Sequence, residues 1–101
     1  MNPRKAAVDE FLQRLKDKFY NRIDGIYLFG SYVRGNYDEE SDIDILIVGE
    51  LTLDGVMDDV FEVLLKYGVL LNVIVELPGQ FEKWKESSFH KAIFSEGIRV
   101  Y

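Results

Sequence analysis

Apolar side chains recur along much of the chain at the spacing of one helix face. They occupy positions 8, 11, 12, 15 and 19 in a first segment, and seven positions between Leu53 and Leu65 in a second. An i, i+3, i+4, i+7 pattern predicts amphipathic helices, here ending near Asn21 and at a C-terminal cap on Gly68. A last helix is predicted in "SSFHKAIFSEG", residues 87–97, with two serines that can cap it and a terminal glycine.

Short runs of β-branched and other apolar residues separate these helices. Strands are predicted in residues 25–29 (GIYLF), 43–49 (IDILIVG) and 69–77 (VLLNVIVEL), the last stopped by a Pro78-Gly79 turn. Ser31 is expected to cap one helical turn, followed by a polar loop to Ser41. Residues 80–86 fit a short helix or ordered loop, and residues 98–101 fit an edge strand or a tail. The order predicts one α/β domain over residues 1–101, with helices mainly on one face of a sheet.

Composition narrows the classes of protein that this domain can represent. The 101 residues include no cysteine, which excludes disulfides and thiolate metal sites. The net charge of −6, from 18 acidic and 12 basic residues, argues against a broad nucleic-acid-binding surface. No stretch approaches the roughly 18–20 apolar residues that span a membrane. Because the first residues also lack an apolar signal core, we expect a cytoplasmic protein without membrane contact.

Two aspartates stand at the head of the second predicted strand, in "FGSYVRGNYDEESDIDILIV", residues 29–48. Alternation along a strand puts Asp42 and Asp44 on one face, with Cα atoms roughly 6–7 Å apart. Carboxylates this close repel each other unless a divalent cation lies between them, and Mg²⁺ is commonly held by a few carboxylates together with phosphate oxygens. The alternative for such a pair is a solvated strand edge.

The Gly30-Ser31 pair comes directly after the first strand. A glycine lets an anion approach the backbone N–H groups, and the Ser31 hydroxyl can donate to a phosphate oxygen. Arg34, one turn further, carries a fork of donors suited to phosphate. Taken alone, a Gly-Ser pair is usually an ordinary turn. Beside two metal-binding acids on the next strand, it predicts phosphoryl or nucleotidyl transfer.

The combined pattern resembles the polymerase-β-type nucleotidyltransferase superfamily, in which Gly-Ser is followed by an Asp-x-Asp strand. "GSYVRG" and "SDIDILIV" in so short a chain are similar to its minimal nucleotidyltransferase branch. The resemblance implies a mixed three- to four-stranded sheet and transfer of a nucleoside monophosphate, AMP from ATP first, to a hydroxyl. It implies that Asp42 and Asp44 hold two Mg²⁺ ions. Gly30 and Ser31 would hold the β- and γ-phosphates, with help from Arg34.

A third carboxylate belongs to the family pattern, on a strand beside the two aspartates. Here the strand reads "LLNVIVEL", with Asn72 in the apolar-acid-apolar context and Glu76 as its only acid. Glu76 is therefore a candidate catalytic and metal-binding residue, and a solvated strand end is the alternative. If neither position supplies a carboxylate, we expect nucleotide binding with weak or absent transfer.

Partners are also implied by the resemblance. Minimal nucleotidyltransferases often pair with a small helical HEPN protein as antitoxin and toxin, and can add AMP to a tyrosine of that partner. A binding module without turnover is one alternative, and a homodimeric small-molecule nucleotidyltransferase, whose second chain supplies the missing carboxylate, is another. His90, the only histidine, is expected on a helix surface because no second metal ligand accompanies it.

Overall fold

A computed structural model describes residues 3–35 and 42–101. Within these ranges, four helices, one single-turn helix and four strands follow one another. They are α1 (Pro3–Lys18), β1 (Ile23–Phe29), α2 (Ser31–Arg34), β2 (Ile43–Gly49), α3 (Leu53–Tyr67), β3 (Leu71–Glu76), α4 (Pro78–Trp84), α5 (Ser88–Glu96) and β4 (Ile98–Arg99).

The strands form one mixed sheet in the order β3-β2-β1-β4. β1 is antiparallel to both β2 and β4, whereas β2 and β3 are parallel. A parallel pair needs a long crossover, which α3 supplies. The sheet confirms the mixed α/β architecture, and β4 is the predicted edge strand.

One face of the sheet carries the main core. Ile43, Ile45 and Ile47 alternate along β2 and are fully buried against apolar side chains of α1 and α3. Thr52 caps the start of α3 by accepting from the Gly55 N–H, and Gly68 ends the helix in the left-handed conformation. The two strongest helical patterns in the sequence therefore form the two longest helices, both on this face.

The opposite face is covered by the short C-terminal helices. Leu46 and Val48, which alternate with the buried isoleucines, pack with Ile93 of α5 and the partly buried Phe81 of α4. Asp44 follows the same alternation onto this face. The candidate acids thus share their side of the sheet with α5.

Local details differ from the sequence prediction at several places. Gly30, not Ser31, is the residue that precedes the first turn of α2, and Ser31 is already helical. Pro78 does not form a turn with Gly79 but begins α4, where its missing N–H costs nothing. β1 begins at Ile23, two residues before the predicted strand.

The predicted polar loop up to Ser41 lies outside the described residues. Within the ranges that the structure describes, no helix combines the length and apolar character needed to cross a membrane.

Candidate active site

The turn between β1 and α2 brings the backbone directly against a carboxylate. Gly30 has φ 81° and ψ −162°, a conformation that is essentially restricted to glycine. A Cβ atom added here would lie 2.1 Å from Oδ2 of Asp44 and 3.0 Å from its Cγ. The glycine is therefore required both by its backbone angles and by the close approach of Asp44.

Asp44 lies between two neighbouring strands at the start of β2. Its register partners are Phe29, which directly precedes Gly30, and Asn72 on β3. The Asn72 Nδ2 atom donates to Asp44 Oδ1 over 2.8 Å. The half-buried Asp44 carboxylate thus has Asn72 on one side and the glycine turn on the other.

Asp42 directly precedes β2 and is exposed. Strand alternation relates it to Asp44, two residues on. The structure therefore places four of the predicted site positions at one end of the sheet: Gly30 and Ser31 in the turn after β1, and Asp42 and Asp44 where β2 begins.

Glu76 lies at the other end of β3. Its register partner is Val48, four positions along β2 from Asp44, or about 13 Å at the usual rise per residue. Glu76 Oε1 is 2.7 Å from Nε2 of His90, whose Nδ1 is 2.8 Å from the Ser87 hydroxyl oxygen. The structure does not bring Glu76 to the aspartates, so it supplies no third carboxylate beside Asp44.

The position of His90 differs from the sequence prediction. It was expected on a helix surface, yet it is only 4% exposed. Its ring lies edge-on to Phe81 and Phe89 while both ring nitrogens have polar neighbours. Helical spacing alone could not reveal this burial, because it depends on how α5 packs against β3.

Arg34 lies beside the same glycine turn. Its Nη1 atom is 3.3 Å from Oε2 of Glu96 on α5, and both side chains are about half exposed. Arg34 and Glu96 line a small pocket together with Gly30, Phe29 and Phe89. An exposed ion pair of this kind contributes little stability. Nothing in the sequence pattern selects Glu96.

The donor set fits a divalent cation that brings its own phosphate ligands. Among residues 3–35 and 42–101, no group of three or more His, Cys, Asp or Glu side chains could hold a metal ion. Mg²⁺, however, is often held by one or two carboxylates with water and substrate phosphates completing its shell. Asp42 and Asp44 supply such carboxylates, and the missing side chain of Gly30 makes room for the Asp44 carboxylate.

Comparison with known proteins decides the family. The model of the nucleotidyltransferase domain matches residues 8–99. The chain belongs to this family. The nucleotidyltransferase is 52% identical over 101 residues to MJ0604 of Methanocaldococcus jannaschii, and the match covers 100% of both chains. MJ0141 of the same organism is 30% identical over 94 residues, covering 92% of this chain and 94% of the relative. Both are named as candidate protein adenylyltransferases.

Solved structures confirm the fold of the nucleotidyltransferase. A toxin-antitoxin structure with AMP-PNP superposes with a TM-score of 0.66 at 18% identity, covering 92% of this chain and 71% of that one. A complex of tri-AMPylated Shewanella oneidensis HEPN toxin with MNT antitoxin gives a TM-score of 0.57 at 17% identity, covering 96% and 71%. These superpositions confirm the nucleotidyltransferase fold that the resemblance implied.

Proposed function

We propose that this nucleotidyltransferase transfers AMP from ATP to a tyrosine hydroxyl of a small helical HEPN-type partner, and so acts as an antitoxin. The observation that carries the proposal is the contact between Gly30 and the Asp44 carboxylate, which unites the predicted phosphate turn and the acidic strand in one site. The names of the curated relatives support protein as the acceptor. The solved toxin-antitoxin complexes support the kind of partner.

The proposed roles follow from where the side chains lie. Backbone N–H groups at Gly30 and Ser31, with the Ser31 hydroxyl, bind the β- and γ-phosphates, and Arg34 exchanges Glu96 for phosphate. Asp42 and Asp44 hold Mg²⁺. When bound, the metal neutralises phosphate charge and lowers the pKa of the attacking hydroxyl.

The proposed transfer needs only the acceptor hydroxyl and ATP as reactants. The acceptor oxygen bonds to the α-phosphorus, the bond from that phosphorus to the bridging oxygen of the β-phosphate breaks, and pyrophosphate leaves. The hydroxyl proton passes to solvent. The chain's contribution is to align the triphosphate along the glycine turn and to fix the two carboxylates beside it.

One observation favours a second candidate function. Asn72, an amide, occupies the position beside Asp44 where a third carboxylate is expected, and Glu76 lies elsewhere. A site with two carboxylates is also suited to holding nucleotide and partner without turnover. In that case the chain would neutralise a helical partner by binding alone.

Transfer of label from ATP distinguishes these two candidates. The protein is mixed with its genomic neighbour, Mg²⁺ and ATP labelled at the α-phosphate, and the experiment is repeated with Asp42→Asn and Asp44→Asn. We expect labelled partner with the wild type and a loss of about 100-fold or more in each variant. Asp24→Asn is the matched control, because Asp24 is exposed at the opposite end of β1. Tight partner binding without labelling by the wild type would contradict the transferase proposal.

A further inference from the structure

The two oxygens of the Asp44 carboxylate have different surroundings. Oδ1 accepts from the Asn72 amide over 2.8 Å, whereas Oδ2 is the atom nearest to the position of a Cβ on Gly30. An ionised carboxylate only accepts hydrogen bonds, so Asn72 must present its NH₂ group and not its carbonyl oxygen. The amide therefore fixes the plane of the carboxylate and leaves Oδ2 on the side of the turn.

The backbone makes this contact a fixed one. Asn72 is the direct register partner of Asp44 in the parallel β2–β3 pair, and neighbouring strands lie about 4.8 Å apart. The bond therefore links adjacent residues of a sheet whose centre is buried. At this distance a carboxylate in place of the amide would repel Asp44, whereas the neutral donor orients it.

We infer that Asn72 is a positioning residue, whose amide holds Oδ1 of Asp44 and leaves Oδ2 beside Gly30 to bind a divalent cation. The inference rests on the proposed function, since it assigns Asn72 a part in the same site. Because Asn72 is neutral, the site has fewer negative charges than a site with three carboxylates, and we expect it to bind the cation less tightly.

Two substitutions at this position are expected to act in opposite directions. Asn72→Ala removes the donor that orients Asp44. We expect affinity for Mn²⁺, measured by titration calorimetry with AMP-PNP present, to fall about 10- to 100-fold. Asn72→Asp adds a third carboxylate, and we expect Mn²⁺ affinity to rise about 10-fold or more. In chelator, Asn72→Asp should have a lower melting temperature than the wild type, and Mn²⁺ should raise it by more than it raises that of the wild type.

The controls separate positioning from a general effect on folding or charge. Asn72 is exposed, so both variants should fold, and thermal unfolding checks this. Asn21→Asp adds the same charge at an exposed position before β1, at the opposite end of the sheet from Asp44, and should leave Mn²⁺ affinity unchanged. In the transfer assay, Asn72→Ala should need about 10-fold or more Mg²⁺ than the wild type to reach half of its maximal rate.

The outcomes also distinguish this inference from the proposed function. If Asp44→Asn abolishes Mn²⁺ binding but both Asn72 variants bind it as the wild type does, the positioning role is wrong and the site stands. Unchanged Mn²⁺ binding in Asp44→Asn as well would overturn both. Opposite shifts in the two Asn72 variants, with Asn21→Asp unchanged, would support the inference.

Discussion

Gly30 is the residue at which the end of β1 comes into contact with the Asp44 carboxylate. Its positive φ and the space that its missing Cβ leaves are separate requirements, and both are met only by glycine. This dual constraint explains why a Gly-Ser pair, an ordinary turn elsewhere, is placed directly opposite an acidic strand. At the scale of single residues, the proposed site is centred on this glycine, the two aspartates and the Asn72 amide that donates to Asp44.

Substitution of Gly30 by alanine is expected to disrupt the site more than the fold. The added Cβ would displace the Asp44 carboxylate, and the backbone conformation costs about 1–3 kcal/mol for a residue other than glycine. We expect lower stability in urea unfolding and a loss of Mn²⁺-dependent AMP-PNP binding by calorimetry.

Gly68→Ala provides the control for backbone strain. Gly68 also has a positive φ, 69°, but no atom lies within 4 Å of an added Cβ. We expect it to cost about 1–2 kcal/mol of stability while nucleotide binding persists. Normal nucleotide binding by Gly30→Ala would show that the close approach to Asp44 is not needed.

At the scale of elements, the contact between Glu76 and His90 joins the end of β3 to the start of α5. His90 is buried, and the Ser87 hydroxyl that approaches its Nδ1 also accepts from the His90 backbone N–H as the cap of α5. Glu76 therefore secures the helix that covers the Asp44 face of the sheet. The contact with His90 accounts for an acidic residue in β3 without assigning Glu76 a role in catalysis.

Glu76→Ala should lower stability without weakening cation binding. Removal of the carboxylate leaves a buried ring nitrogen of His90 without this partner, which costs about 1–3 kcal/mol. Urea unfolding measures this cost, with Glu82→Ala as control, because the exposed Glu82–Lys85 ion pair contributes at most about 1 kcal/mol. Loss of Mn²⁺ binding in Glu76→Ala would instead return Glu76 to the site.

Glu10 on α1 contacts α3, and the contribution of this contact to stability depends on pH. The pKa of Glu10 is lowered by its hydrogen bond from Lys66 on α3, with further hydrogen bonds from Tyr67 and Arg14. A lowered pKa in the folded state means that the stabilisation is present above the ordinary pKa of glutamate. It is lost as pH falls through the folded-state value.

Glu10→Gln should therefore destabilise the protein at neutral pH and lose this effect in acid. Urea unfolding measured between about pH 7 and about pH 3 should show a difference from the wild type that shrinks as pH falls. Lys66→Gln, which removes the first partner, should show the same trend. A difference that grows toward acid would contradict the assigned contact.

Local patterns predicted the elements whose signals are local. The limits of β2 and the capped helix α3 follow from alternation, helical spacing, and a glycine in the left-handed conformation. The proximity of Gly30 and Asp44 could be predicted from the sequence, because both residues lie at the ends of adjacent strands. The partners of Glu76 and Arg34 could not be predicted in this way. They are His90 and Glu96 on α5, and no spacing within the sequence encodes how α5 packs on the sheet.

At the scale of the whole molecule, the main hydrophobic core and the candidate site lie on opposite faces of the sheet. The main core lies between the sheet and the two long helices, α1 and α3, whereas the candidate acids emerge on the other face beside α5. The chain's net charge of −6 disfavours nucleic acid as a partner, and a metal-bound triphosphate carries its own counter-charge to the acidic site. Under the proposed function, a protein partner provides the acceptor hydroxyl.

The most direct test of this account is calorimetric binding of AMP-PNP in the presence of Mn²⁺ to the wild type and to Asp44→Asn. Because the account places the Asp44 carboxylate and the Gly30–Ser31 turn in a single cation and triphosphate site, we expect the variant to bind about 10- to 100-fold more weakly. Wild-type binding should be lost when Mn²⁺ is removed by chelator. Equal affinity of the two proteins for the metal–nucleotide complex would contradict the account.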